Sequence, residues 1–166
     1  MTVNRIIETL RQQAELYEQL LAAEREKTDA LVRGKVDQLN AVVQKERKLT
    51  RQAEELERLR LEETRGFFAE QGLPGGFVGR MSDLVRAVHA PGDKREILHL
   101  QERLSGLLRD LKKANEQNQQ LARQALEFIH FSIDLMVENP NEGLVYEHPM
   151  NQANKRYGSG LFDSRI

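Results

Sequence analysis

The side chains of this sequence best suited to proton transfer or metal binding are four histidines. They are His89, His99, His130 and His148. No two of them lie three or four residues apart, and no His-Glu-x-x-His or carboxylate–histidine spacing places ligands on one helix face. The chain has no cysteine, which excludes thiolate nucleophiles, thiolate metal ligands and disulfides. The sequence therefore predicts neither a metal site nor a cofactor.

A glycine-rich stretch, Gly72-Leu73-Pro74-Gly75-Gly76, invites comparison with phosphate-binding loops. It lacks the order G-x-x-x-x-G-K-S/T and no strand is predicted before it, so we interpret it as a break between helices. A G-x-S-x-G nucleophile elbow is also missing. The many Glu and Asp residues occupy surface positions of predicted helices, away from any sheltered pocket that would shift a pKa. We expect a protein that is not an enzyme.

The composition indicates long helices instead of a thick globular core. Charged residues make up 31% of the chain and aromatic residues 5%, and there is no Trp. The formal net charge of −1 gives no reason to expect a nucleic-acid partner. No stretch approaches the roughly 20 apolar residues of a membrane span, and the N-terminal residues lack the apolar core of a secretory signal. We therefore expect no membrane insertion and a cytoplasmic location.

Apolar residues at three- and four-residue spacing predict helices at about residues 2–32, 36–71, 77–89 and 93–139. Gly34 suits a left-handed C-cap, and the short connection favours an antiparallel neighbour. Asp93 is the predicted N-cap of the last helix. The predicted fold class is all-α: an elongated antiparallel three-helix coiled-coil-like bundle with an extra short helix over residues 1–139. A flexible, disordered C-terminal tail is predicted for residues 140–166.

Two polar interruptions of the apolar seams stand out. Glu24 and Thr28 break the seam of the first helix, so we expect weaker packing in its last third. Asn115 and Asn118 lie on or beside the seam of the last helix. A polar residue at a seam position costs stability but can fix the register of neighbouring helices. A structural role, with the asparagines hydrogen-bonded inside the bundle, is the favoured interpretation.

The last helix changes character near its end. Its front stripe starts at Ile97, continues through Phe128, Ile129, Leu135 and Met136, and is expected to build the bundle. A second stripe appears on the back of the helix only from residue 126 onward. It consists of Leu126, His130, Ile133 and Val137. A helix that becomes apolar on a second side needs a second partner there.

These features occur in an order that resembles a known family. A Lys/Glu-rich second helix precedes a glycine-containing break, and Asn115 and Asn118 precede an apolar, Phe-containing helix end. The matching residues of that end are Leu121, Leu126, Phe128, Ile129 and Ile133. A Tyr-Gly pair at 157–158 and a Phe-Asp pair at 162–163 follow in the tail. Over nearly the whole chain this order resembles the FlgN-type flagellar export chaperones.

The resemblance implies a cytoplasmic, non-enzymatic chaperone of the flagellar type III export system. Its clients would be hook-associated proteins of the hook–filament junction, which it would keep from premature assembly and deliver to the export apparatus. A client helix would lie against the end of the last helix. The expected client-binding residues are Leu126, Phe128, Ile129, His130, Ile133 and Val137. The tail residues Tyr157, Leu161 and Phe162 are expected to contact the client or the export machinery.

Other interpretations remain open at this point. The chain fits a coiled-coil scaffold or homodimeric adaptor with no export role, in which the second stripe binds another copy. The stripe also fits a contact within the chain, covered by the short helix or by the tail. A nucleic-acid-binding bundle is a distant third, because a basic stripe with interleaved aromatic residues is missing.

Overall fold

The computed structural model describes residues 2–73 and 80–138. It contains four helices: α1 at Thr2–Arg33, α2 at Val36–Glu70, α3 at Met81–Ala87 and α4 at Pro91–Glu138. No strand occurs in these residues, so the prediction of an all-helical chain is confirmed. The predicted tail, including Tyr157, Leu161 and Phe162, lies outside the described residues.

The helix ends follow from local chemistry. Gly34 has a φ of 65°, the left-handed conformation that ends α1 at little steric cost. The last helix begins at Pro91, two residues before the predicted N-cap. Proline is tolerated there because the backbone N–H of a first helical residue makes no hydrogen bond within the helix. Asp93 therefore lies in the first turn, where a carboxylate interacts favourably with the helix dipole. The short helix ends at Ala87, and Val88 has an extended backbone.

The first two helices form an antiparallel hairpin. Side-chain hydrogen bonds join Thr2 to Glu70, Thr9 to Glu63, Gln13 to Glu57 and Lys27 to Glu46. The residue numbers rise along α1 while those of their partners in α2 fall, so the two helices run in opposite directions. The early part of α4 runs parallel to α1, because Arg11 pairs with Glu96, Glu18 with Arg103 and Glu24 with Asn118. These contacts agree with the predicted direction of each helix, and the complete coiled-coil-like bundle stays a prediction.

The largest cluster of buried apolar side chains joins all four helices. Leu84 of α3 is fully buried there with Ile6 of α1, Phe68 of α2 and Ile97 of α4. Burial of each such side chain contributes about 1.5–3 kcal/mol to the free energy of folding. A second, smaller cluster contains Leu16, Ala23, Val42 and Leu49 from the hairpin. The short helix thus buries its apolar side in the main core.

The chain divides into two compact units, Met1–Arg123 and Gln124–Ile166, and the predicted domain organisation stays a prediction. The described part of the second unit is the end of α4. Neither unit contains, among its described residues, a helix that is long and apolar enough to cross a bilayer.

Candidate protein-binding surface

The end of α4 carries a concentration of exposed apolar side chains. We call residues 126–137 the terminal segment. Fourteen large hydrophobic side chains are exposed in the described part of the chain, and eight of them lie in this segment. They are Leu126, Phe128, Ile129, Phe131, Ile133, Leu135, Met136 and Val137, with exposed fractions between 45% and 77%. Contiguous exposed apolar surface of this kind marks a site of protein interaction.

The six predicted client-binding residues lie within this segment, and their binding role stays a prediction. Leu126, Phe128, Ile129, Ile133 and Val137 are exposed hydrophobic residues, and His130 is exposed beside them. The front stripe was expected to build the bundle from Ile97 onward, while Phe128 and Ile129 at its end were also expected to bind the client. Its residues from Phe128 to Met136 are exposed, whereas Ile97, Leu100 and Leu104 are buried.

Sequence reasoning missed Phe131. It belongs to neither predicted stripe, yet its side chain is 60% exposed in the middle of the terminal segment. Only two apolar stripes were predicted from the sequence, whereas in this segment apolar residues occupy most of the circumference of the helix. A projection of all twelve positions around the helix axis would have found it.

Within the first unit, the polar interruptions of the two seams meet in one cluster. The Asn118 Nδ2 atom donates to the Glu24 carbonyl oxygen at 2.8 Å and to Glu24 Oε2 at 2.6 Å. Asn115 Nδ2 donates to Glu24 Oε1 at 2.9 Å. Thr28 Oγ1 donates to Asn118 Oδ1 at 2.7 Å. Glu24 and Thr28 therefore hold α4 against α1 through hydrogen bonds, and the expected weaker packing in the last third of α1 stays a prediction.

The second helix joins the same cluster through an ion pair. Lys27 Nζ lies 3.1 Å from Glu24 Oε1 and 2.8 Å from both Glu46 carboxylate oxygens. The hydrogen bond goes to Oε2, and the buried Oε1 of Glu46 accepts none. We define the polar cluster as Glu24, Lys27, Thr28, Glu46, Asn115 and Asn118. It contains two carboxylates and one ammonium, so one negative charge is left in excess.

The two carboxyl groups respond differently to this shared ammonium. Burial acts to raise the pKa of Glu24, but hydrogen bonds from Asn115, Asn118 and Lys27 outweigh it, and the pKa is lowered. Burial raises the pKa of Glu46, and the adjacent Glu24 charge adds to this, while Lys27 only partly compensates. Glu24 is thus the carboxylate that the cluster stabilises in its charged form.

This difference predicts opposite effects of neutralising the two groups. A raised folded-state pKa means that the contribution of Glu46 to stability is present below its unfolded pKa and lost as the pH rises through its folded pKa. At pH 7 we expect Glu46→Gln to change the free energy of unfolding by roughly 0 to +1 kcal/mol, with this gain disappearing toward pH 4. Urea denaturation followed by far-UV circular dichroism at both pH values measures it.

The matched control is Glu24→Gln. Its pKa is lowered, so its contribution is present above the unfolded pKa and lost as the pH falls, and the substitution should destabilise the protein at pH 7. A loss of about 2 kcal/mol or more in Glu46→Gln at pH 7 would instead show that the Lys27–Glu46 pair is strongly stabilising.

A cavity of about 380 Å³ also lies in the first unit, lined in part by Leu10, Gln13, Tyr17, Glu57 and Arg60. Arg60 donates to Glu57 at 2.6 and 2.8 Å, and Gln13 donates to Glu57 at 2.9 Å. The hydrogen bond from Arg60 lowers the pKa of Glu57, and the same bond raises the pKa of Arg60. Both groups therefore keep their charges, as expected of a structural ion pair. Within residues 2–73 and 80–138, no group of three or more His, Asp or Glu side chains is placed to hold a metal ion.

Comparisons with known proteins cover nearly the whole chain. A protein-family model described as FlgN protein matches residues 1–154. A Bacillus subtilis (strain 168) protein described as "Uncharacterized protein YvyG" is 33% identical over 167 residues, which cover 99% of each chain. No solved structure matches the chain significantly.

Proposed function

The chain belongs to the FlgN family, which implies a flagellar export chaperone, and we propose that its clients are the hook-associated proteins of the hook–filament junction. In this proposal it binds them in the cytoplasm, prevents their premature assembly and delivers them to the type III export apparatus. In the first unit, the beginning of α4 packs in one apolar core with residues of α1, α2 and α3.

The observation that carries this proposal is the exposed terminal segment. Burying one of its large apolar side chains against a client contributes about 1.5–3 kcal/mol. Association also costs translational, rotational and side-chain freedom, so several such side chains are needed for a stable complex. The proposed client-binding residues are Leu126, Phe128, Ile129, His130, Ile133 and Val137. Contacts through Tyr157, Leu161 and Phe162 stay a prediction from the sequence.

Co-expression with each hook-associated protein of the same organism tests the proposal. Size-exclusion chromatography with light scattering should show a complex with at least one of them. The same measurement on the chain alone distinguishes the alternative, a homodimeric scaffold that buries the terminal segment against a second copy. If every hook-associated protein elutes separately and the chain is a stable dimer, the scaffold replaces the chaperone.

Substitutions within the surface should weaken the complex without unfolding the helix. We expect Ile133→Asp and Val137→Asp each to raise the Kd for the bound hook-associated protein at least about tenfold, because a charge replaces an apolar contact. Isothermal titration calorimetry measures the Kd, and far-UV circular dichroism checks the helix content. Val36→Asp is the control, since Val36 lies in a different helix and is 65% exposed, close to the 67% of Val137. Loss of helix content in Ile133→Asp would show that this residue belongs to a core.

A further inference from the structure

The eight exposed apolar residues of the terminal segment lie on an arc of about 240° around the helix, with Ile129 and Met136 near its middle. At about 100° per residue, two groups of three residues have mean directions roughly 170° apart. The Leu126 face consists of Leu126, Ile133 and Val137. The Phe131 face consists of Phe128, Phe131 and Leu135. All six side chains are exposed, so neither face is already occupied by a neighbouring element.

A narrow acidic strip separates the two faces. Glu127 and Asp134 are seven residues apart and therefore lie on the same side of the helix, between the Leu126 face and the Phe131 face. Both residues are exposed. The sequence has no Lys or Arg between Arg123 and Lys155, so within residues 126–137 His130 is the only basic side chain beside the strip.

We propose that the client binds the terminal segment with two helical segments, one on each face, and that basic client side chains pair with Glu127 and Asp134. A single amphipathic helix contacts its partner through an apolar stripe little more than 100° wide, which is too narrow to reach both faces. Two client helices, with Lys or Arg at the edges of their apolar stripes, cover the surface and complement its charge. This inference rests on the proposed function.

The charge of the strip argues against a second copy of this chain as the occupant. In a symmetric dimer the same patch meets itself, and where the two-fold axis passes through the strip, Glu127 and Asp134 of one copy approach the same residues of the other. The segment has no Lys or Arg with which to compensate this repulsion. A partner of different sequence can supply that charge.

The test uses the full-length hook-associated protein that forms a complex with the full chain. We expect Phe131→Asp and Ile133→Asp, one on each face, to raise its Kd by at least about tenfold each. Reversing both charges, in Glu127→Lys with Asp134→Lys, should also weaken binding several-fold, and the loss should shrink at high salt. The controls are Val36→Asp for the apolar changes and Asp110→Lys for the charge change, since Asp110 is exposed on α4 outside the segment.

The outcomes separate this inference from the proposed function. If no hook-associated protein binds the unaltered chain, both are overturned. If one binds and Ile133→Asp weakens it while Phe131→Asp does not, the proposed function stands and the two-sided client is overturned. Light scattering then shows whether a second copy covers the Phe131 face. A monomer at all concentrations would exclude a second copy as the occupant of that face. Unchanged binding in the doubly charge-reversed variant overturns the assignment of a basic client.

Discussion

Replacing Lys27 by methionine is expected to lower the free energy of unfolding by about 3 kcal/mol. The side chains of Lys27, Glu24 and Glu46 are only 15%, 7% and 15% exposed. Methionine keeps the apolar stem but removes the only ammonium among the six residues of the polar cluster. Two buried carboxylates then face each other without a cation, and water cannot reach them to compensate. Urea denaturation at pH 7 measures the loss.

An exposed ion pair nearby provides the control. Lys45 Nζ lies 3.1 Å from Glu26 Oε1 and also joins α1 to α2, but both side chains are about half exposed. Because such a pair is well solvated, Lys45→Met should cost no more than about 0.5–1 kcal/mol. Equal, small losses in the two variants would show that the polar cluster is hydrated and contributes no more than a surface pair.

The loss in Lys27→Met should depend on pH. The ammonium lowers the pKa of Glu24 and opposes the rise in the pKa of Glu46, so removing it raises both folded-state values. The variant then gains stability relative to the original chain as the pH falls and its carboxylates take up protons. We expect the difference between the two proteins to be smaller at pH 4.5 than at pH 7.

The helices could be predicted because their signals are local. Three- and four-residue spacing, a glycine at the end of α1 and a proline at the start of α4 act within a few residues. The partners of Asn115 and Asn118 could not be predicted, because Glu24 lies more than ninety positions earlier in the chain. In the sequence, Glu24 and Thr28 look like defects of one seam. Only the parallel register of α1 and α4 shows that Glu24 and Thr28 are the hydrogen-bond partners of the two asparagines in the seam of α4.

The exposed apolar part of α4 includes the residues named from the sequence but is wider than that set. The second stripe is visible as soon as Leu126, Ile133 and Val137 are placed on a helix. Periodicity does not show how far along its length a helix keeps its neighbouring helices, so Leu135 and Met136 were assigned to the bundle although both are exposed. An exposed apolar residue and a buried one have the same spacing. The difference between them is a property of the tertiary structure.

The second large effect concerns Asn118, which is 2% exposed. We expect Asn118→Ala to lower the free energy of unfolding by about 2–3 kcal/mol. The amide is the donor to Glu24 Oε2, and its oxygen accepts from Thr28, so the variant leaves a buried charged oxygen without a donor. The improved helix propensity of alanine, about 0.5 kcal/mol, offsets only a small part of this. Thermal and urea unfolding measure the change.

Asn115→Ala is the matched control, one turn earlier on the same helix. Asn115 donates to Glu24 Oε1, which also accepts a hydrogen bond from Lys27. This oxygen therefore keeps a donor in the variant, and the free energy of unfolding should fall by less than about 1 kcal/mol. The two asparagines thus serve different oxygens of one carboxylate, which gives a physical reason for both. Equal losses would mean that they are interchangeable. A negligible loss in Asn118→Ala would mean that water replaces the amide, and α4 would then be held against α1 by the apolar core alone.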